Sequence, residues 1–251
     1  VIAIIVPVLR RAHQIEKLLE NIAAATSVDY RVVFVCSPGD KEAKRECQRS
    51  EADTIVTSWD PGHGDFAKKI NLAYSLTEEE WLFQAATDLV FKPNWDENAL
   101  KIAETVVVGV VGTNDLGNPA VKRGHHSTHT LFSRNYIETY GGGCCDGTGI
   151  VFSEQYSHQF CDTEFIQIAI MRKQFRSSVR SVVEHLHPHW NKSEMDETYE
   201  KSFEDYSDDA ELYRFRIKAA KDFVNQEKRT ERKRVLEARI GSSSRAKRRR
   251  R

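Results

Sequence analysis

The chain has 251 residues, 40% hydrophobic and 29% charged, with 37 basic side chains against 37 acidic ones. That is enough chain for one large α/β domain or two small ones, and the zero formal charge excludes a globally basic nucleic-acid binder. The charge is unevenly spread, because the last ten residues, SSSRAKRRRR, hold six Lys or Arg and no acid, which leaves about minus six on the rest.

The opening VIAIIVPVL is β-branched and apolar, as a strand buried on both faces should be. It lacks the basic flank and the small-residue cleavage site of a signal segment. RRAHQIEKLLENIAAAT follows with Ile15, Leu18, Leu19 and Ile22 at helical spacing. YRVVFVCS (30–37) is a second buried strand, KEAKRECQRS a polar helix, DTIVTSW a short third strand, and GDFAKKINLAYSLT a helix with Phe66, Ile70 and Ala73 inward. EWLFQAAT is a fourth strand, with Asp88 expected at its C-terminal end and VFKPNW turning the chain away. The alternation predicts a mostly parallel sheet flanked by helices, with ligands at the C-terminal strand ends. Pro7 to Arg11, Ser37 to Asp40, Trp59 to Asp65 and Asp88 should therefore share one crevice.

TVVVGVVGTND reads as another strand, HHSTHTLFSRNYIETYGG as a strand running into a helix, CDTEFIQIAIMRKQF as an amphipathic helix, and SSVRSVVEHLHPHW as a strand ending in histidines. The glycine-rich GGGCCDGTG has no phosphate-loop pattern and suits a flexible lid. From Ser207 the sequence is charged and helical, with Ser207 a candidate N-cap. The division expected is a domain over 1–205, a charged helical extension over 206–240, and a disordered basic tail over 241–251 that could contact nucleic acid. No apolar run is long enough to span a bilayer. Five cysteines without a C-x-x-C pair fit a reducing cytoplasm. Oligomeric state leaves no mark in the sequence.

Four constellations could carry chemistry. Asp88 suits a divalent cation or caps a turn. His185, His187 and His189 alternate, so an extended chain would point all three one way, towards a metal or towards solvent. Asp162 and Glu164 stand at a helix start, as a general base or as caps. Lys68, Lys69 and Asn71 lie on a helix near the crevice, where a lysine could meet a diphosphate.

In their order, IIVPVLRRAHQIEKLLENI, VVFVCSPGD, FAKKINLAYSLTEEEWLFQAATDLVF, CDTEF and HLHPHW resemble a family 2-like glycosyltransferase of the GT-A (Rossmann-like) fold over residues 1–190. The set KINLAY, WLF, DLVF and HLHPHW is similar to small glycosyltransferases encoded by bacteriophages, which would place the protein in a host cytoplasm. The resemblance implies a nucleotide-sugar donor, a UDP-sugar by preference, and Mn²⁺ or Mg²⁺ held by Asp88 with His187 or His185. It further implies a nucleoside contacted by Pro7, Leu9, Arg11, Ser37 and Asp40, and Lys69 and Asn71 near ribose or phosphates. Asp162 would be the base for an inverting transfer to a hydroxyl on a virion protein or a modified DNA. The family's D-x-D pattern is incomplete, since Ala86 stands where the first acid would be. Two other readings remain: a metal-dependent hydrolase built on His185, His187 and His189 with Asp88, and a GT-A-like module that binds nucleotide or glycan without turnover.

Overall fold

The computed structural model describes residues 1–248, with the side chains of the last helix placed up to 230 and at 233. Eight strands form one curled sheet in the order β3-β2-β1-β4-β7-β6-β8-β5. The first half alternates as expected: β1 (Ile2–Pro7), α1 (Ile15–Ala25), β2 (Tyr30–Cys36), α2 (Lys41–Arg49), β3 (Asp53–Val56), α3 (Asp65–Leu76) and β4 (Trp81–Gln84). These four strands are parallel. Along β1 the side chains divide by alternation. Ile2, Ile4 and Val6 join a core covered by α1, α2 and a later helix, while Ala3 and Ile5 join a second core beneath α3. A strand buried on both faces needs apolar residues at every position, which is what IAIIV supplies.

The second half holds β5 (Leu89–Phe91), α4 (Trp95–Val106), β6 (Val110–Asn114), α5 (Pro119–Lys122), β7 (Thr130–Ser133), α6 (Arg134–Tyr140), α7 (Cys161–Met171), β8 (Phe175–His185), α8 (Glu197–Ser202) and α9 (Tyr206–Arg248). Strand β7 is antiparallel to both β4 and β6, β5 is antiparallel to β8, and β6 is parallel to β8.

Four expectations change here. Asp88 does not end β4; it immediately precedes β5, which places Leu89 opposite His185. VFKPNW does not turn away from the fold. It leads into α4, where Trp95, Ala99 and Ala103 at four-residue spacing face the core, and Trp95 packs 4.6 Å from Phe83 and 5.0 Å from Phe91 between ring centroids. The Val-rich run from 105 therefore begins in a helix, and only its later part is a strand. GGGCCDGTG is not a lid: it packs beneath α9, where Cys144 is buried against Ile168, Ala220 and Val224. Finally, α9 continues past 240 to Arg248, where a disordered tail was expected from 241. Residues 249–251 lie outside the described ones.

The start of α9 is locked to the domain by a buried ionic knot. Arg216 bonds Glu164 through Nε (2.7 Å) and Nη2 (2.9 Å), and Asp146 through Nη2 (2.5 Å), while the Tyr156 hydroxyl donates to Glu164 at 2.6 Å. Substituting Arg216→Met would leave the buried Glu164 and the partly buried Asp146 without a counter-ion. It is expected to lower unfolding free energy by about 3 kcal/mol, read as a fall in the urea midpoint.

Candidate functional site

Strand order reverses between β1, whose chain continues outward to β2, and β4 on its other side. In parallel α/β sheets such a reversal opens a crevice at the C-terminal strand ends. A cavity of about 770 Å³ lies there. Its wall includes Pro7 at the end of β1 and Val8 to Arg11 beyond it, Lys69 on α3, Ala86 to Asp88 before β5, Asp162 on α7, His185 and His187, and Thr198, Tyr199, Lys201 and Ser202 of α8.

Asp88 is the centre of this floor. It is buried, and its Oδ2 accepts from Arg11 Nη1 (2.5 Å) and from the Tyr199 hydroxyl. Arg11 also bonds Asp196 through Nε (2.9 Å) and Nη2 (3.1 Å), and its guanidinium lies 4.3 Å over the Tyr199 ring. Burial alone would raise the Asp88 carboxyl, yet His185, Arg11 and Tyr199 outweigh it and hold the group well below the usual carboxylate range. His185 Nε2 is 3.6 Å from Oδ1, just beyond hydrogen-bond reach.

Among the described residues, three buried polar atoms on cavity-lining side chains have no hydrogen-bond partner: Asp88 Oδ1, Gln84 Oε1 and His129 Nε2. Orphaned buried polar atoms are uncommon in folded proteins and call for a partner. His129 is pushed down to about 3, first by burial and then by neighbouring His185, and His187 to about 4 for the same two reasons. Both are neutral imidazoles near neutral pH, the form that ligates metals.

Asp162 and Glu164 part company. Asp162 lines the cavity half-buried in the first turn of α7, with Oδ1 accepting from Thr163 N (2.6 Å) and Oδ2 3.8 Å from His126 Nε2. The helix cap itself is Phe160, which makes no side-chain cap bond. Glu164 faces away, into the knot with Arg216.

The fold thus gathers Pro7, Leu9, Arg11, Lys69, Asp88, Asp162, His185 and His187 around one cavity. Ser37, Asp40 and Asn71 are not in its lining. Asp40 caps α2 by accepting from Ala43 N (3.2 Å) and takes the Arg10 N–H at 2.7 Å. Asn71 pins a loop through Val151, Phe152 and Glu154. Lys69, although lining the cavity, already binds Asp65 (2.8 Å) and the Val8 carbonyl (3.0 Å). It therefore fixes the turn after β1. His189 is exposed and outside the cavity lining; its ring lies 5.5 Å from that of His187, which lies 4.9 Å from His185, but among the described residues these side chains do not form a group of three that could hold a metal ion. Sequence reasoning missed Gln84, Asp196 and Tyr199. Asp196 had a local signal as the N-cap of α8, where it accepts from Tyr199 N at 2.9 Å.

The donor set suits a hard or borderline divalent cation. An unpartnered carboxylate oxygen and an imidazole nitrogen 3.6 Å apart are close to the roughly 3 Å expected of neighbouring ligands on one Mn²⁺ or Mg²⁺. Among the described residues no three His, Cys, Asp or Glu side chains form a complete cage. The chain would supply one edge of the coordination shell.

No family model matches the sequence, and no curated protein matches it in a sequence comparison. Solved structures do match. The mannosyltransferase PcManGT from Pyrobaculum calidifontis, in complex with GDP-Man and Mn²⁺, aligns with TM-score 0.56 at 19% identity, over 73% of this chain and 56% of that one. S. aureus TarS 1-349 in complex with UDP-GlcNAc aligns with TM-score 0.56 at 15% identity, over 80% and 64%. Glucosyl-3-phosphoglycerate synthase from Mycobacterium tuberculosis, in complex with Mn²⁺, UDP and glucosyl-3-phosphoglycerate, aligns with TM-score 0.50 at 13% identity, over 73% and 71%. The fold is that of the GT-A glycosyltransferases. The chain spans a little over half the length of the mannosyltransferase it matches. Among the described residues no helix is long and apolar enough to cross a membrane.

Proposed function

We propose that this protein is a metal-dependent glycosyltransferase that moves a sugar from a nucleotide-sugar, preferentially a UDP-sugar, to a hydroxyl group with inversion. The observation that carries the reading is the unpartnered Asp88 Oδ1 beside His185, at the reversal point of a GT-A sheet and in one cavity with Asp162. Asp88 with His185 or His187 would hold Mn²⁺ or Mg²⁺, which supplies positive charge to the departing diphosphate. Pro7 and Leu9 would flank the nucleoside. Asp162 would take the proton of the acceptor hydroxyl as its oxygen bonds the anomeric carbon and the carbon–phosphate-oxygen bond breaks, leaving the nucleoside diphosphate. The solved structures with UDP-GlcNAc, UDP or GDP-Man bound support a nucleotide donor by fold likeness. The resemblance to phage enzymes favours a macromolecular acceptor, either a virion protein or a hydroxymethylated DNA base, and so a host cytoplasm. The basic residues after 241 would help to engage DNA in the second case.

A panel of nucleotide-sugars, titrated with and without Mn²⁺, tests the reading. Metal-dependent binding of one donor, followed by nucleotide release only when acceptor is added, is the expected result. Release without acceptor would make the protein a hydrolase, and binding without release in the presence of each candidate acceptor would make it a binding module.

A further inference from the structure

We infer that α9 pairs with the α9 of a second copy of this chain, antiparallel, along the face that points away from the domain. The acidic start of each helix is then set against the basic stretch of the other. The helix has two unlike faces. One packs on the domain, where Ala220 and Val224 are buried beside Ile168 and Cys144. At 3.6 residues per turn, Asp208, Glu211, Phe215, Asp222, Arg229 and Lys233 lie within about 40° of a single line on the opposite side. All of them are exposed. Phe215 is 73% exposed, and Phe223, just beside the line, is 40% exposed.

Charge is ordered along this line. Acids occupy its first part, at Asp208 and Glu211, and bases its last, at Arg229 and Lys233, with the ring of Phe215 between them. Such a stripe complements itself only when reversed. In an antiparallel pair Asp208 of each copy stands opposite the partner's Lys233. The same register sets Glu211 beside the partner's Arg229 and brings Phe215 within about one turn of the partner's Phe223. A parallel pair would put Asp208 against Asp208 and Lys233 against Lys233, and like charges repel. Antiparallel pairing also opposes the two helix dipoles, and its two-fold axis makes every contact occur twice.

The helix extends beyond the support of its own domain. Among the described residues its last side-chain tie to the domain is Glu227 with Arg172, at 3.1 and 3.0 Å. Lys228, Arg229, Thr230 and Lys233 beyond it are exposed, and the helix continues to Arg248, about 30 Å further at 1.5 Å per residue. In water a helix owes most of its stability to packing along one face. The partner's α9 supplies that packing. Exposed ion pairs are individually weak, so Phe215 and Phe223 provide the apolar part of the contact.

Sedimentation velocity of the full chain tests this. At low ionic strength the wild type should form a concentration-dependent dimer, and added salt should weaken it, because the pairs are exposed. Asp208→Lys and Lys233→Glu each place like charges opposite one another. Each should weaken the dimer about tenfold, since two exposed pairs are lost per dimer, and Phe215→Lys should give monomer. The double variant, Asp208→Lys with Lys233→Glu, restores opposite charges and should regain wild-type association. Harm to the helix alone would leave the double variant weak. A wild type that is monomeric at low salt overturns the inference, as does a dimer that Phe215→Lys leaves intact. Single reversals that weaken the dimer without recovery in the double variant overturn the antiparallel pairing. A monomer that gains mass only when a random-sequence DNA duplex is added assigns the basic stretch to nucleic acid and overturns the pairing too.

Discussion

Asp162→Asn is expected to lower kcat by a factor of about 10² to 10⁴, the usual worth of a positioned general base, with donor affinity unchanged. The substitution is nearly isosteric. The new amide would keep an oxygen for the Thr163 N–H, which Asp162 Oδ1 now accepts at 2.6 Å. What it loses is the capacity to take a proton. Asp162 is half-buried and does not belong to the Arg216 knot, so the thermal midpoint should stay close to wild type. The neighbouring acid is the contrast: Glu164 lies 2.7 Å from Arg216 Nε and is 1% exposed. Substituting Glu164→Gln should weaken the anchorage of α9 first and affect turnover only through it. An Asp162→Asn enzyme that keeps wild-type kcat would remove the base assignment and leave the donor site untouched.

Asp88→Asn is expected to abolish Mn²⁺-dependent donor binding and to lower kcat/KM on the order of 10³-fold, the several kcal/mol that a cation contributes at a charged leaving group. The amide still fills the space beside Arg11 and Tyr199, but it carries no charge for the cation or the guanidinium. Arg11 would then rest on Asp196 alone. Circular dichroism should show the fold retained, because Trp95, Phe83 and Phe91 hold the chain on both sides of Asp88. Donor binding that remains Mn²⁺-dependent in Asp88→Asn would move the cation elsewhere.

How much of this was legible in the sequence depended on distance along the chain. Local periodicity revealed β1, β2, β4, α7 and β8, because each carries its own pattern of buried positions. It failed at α4, where VFKPNW was read as a turn away and the Val-rich run from 105 as a strand. The apolar face of Trp95, Ala99 and Ala103 decided the helix by packing. It failed also at β5, three residues long and defined only by its ladder with β8. The motif resemblance did bring Asp88 and the late histidines together. It could not show that Arg11 reaches Asp196 across 185 residues, or that Tyr199 reaches Asp88 across 111. Such pairings leave no periodic trace, and Asp196 and Tyr199 look like an ordinary surface-helix start.

The β5–β8 ladder has a further consequence. Because side chains alternate along a strand, sliding β8 by one position would swing the imidazole of His185 to the opposite face and bring a neighbouring side chain into its place. The approach of His185 to Asp88 therefore depends on alignment as much as on residue identity. Strand β8 is irregular upstream of this point: from Ser177 to Val182 it spends five steps while β6 spends two from Gly112 to Asn114. That bulged stretch takes up the mismatch between the short β6 and the long β8 before Val183 pairs with Phe91. The irregularity lies outside the cavity lining, and the short segment from Val183 to His185 reaches the cavity with its phase already fixed.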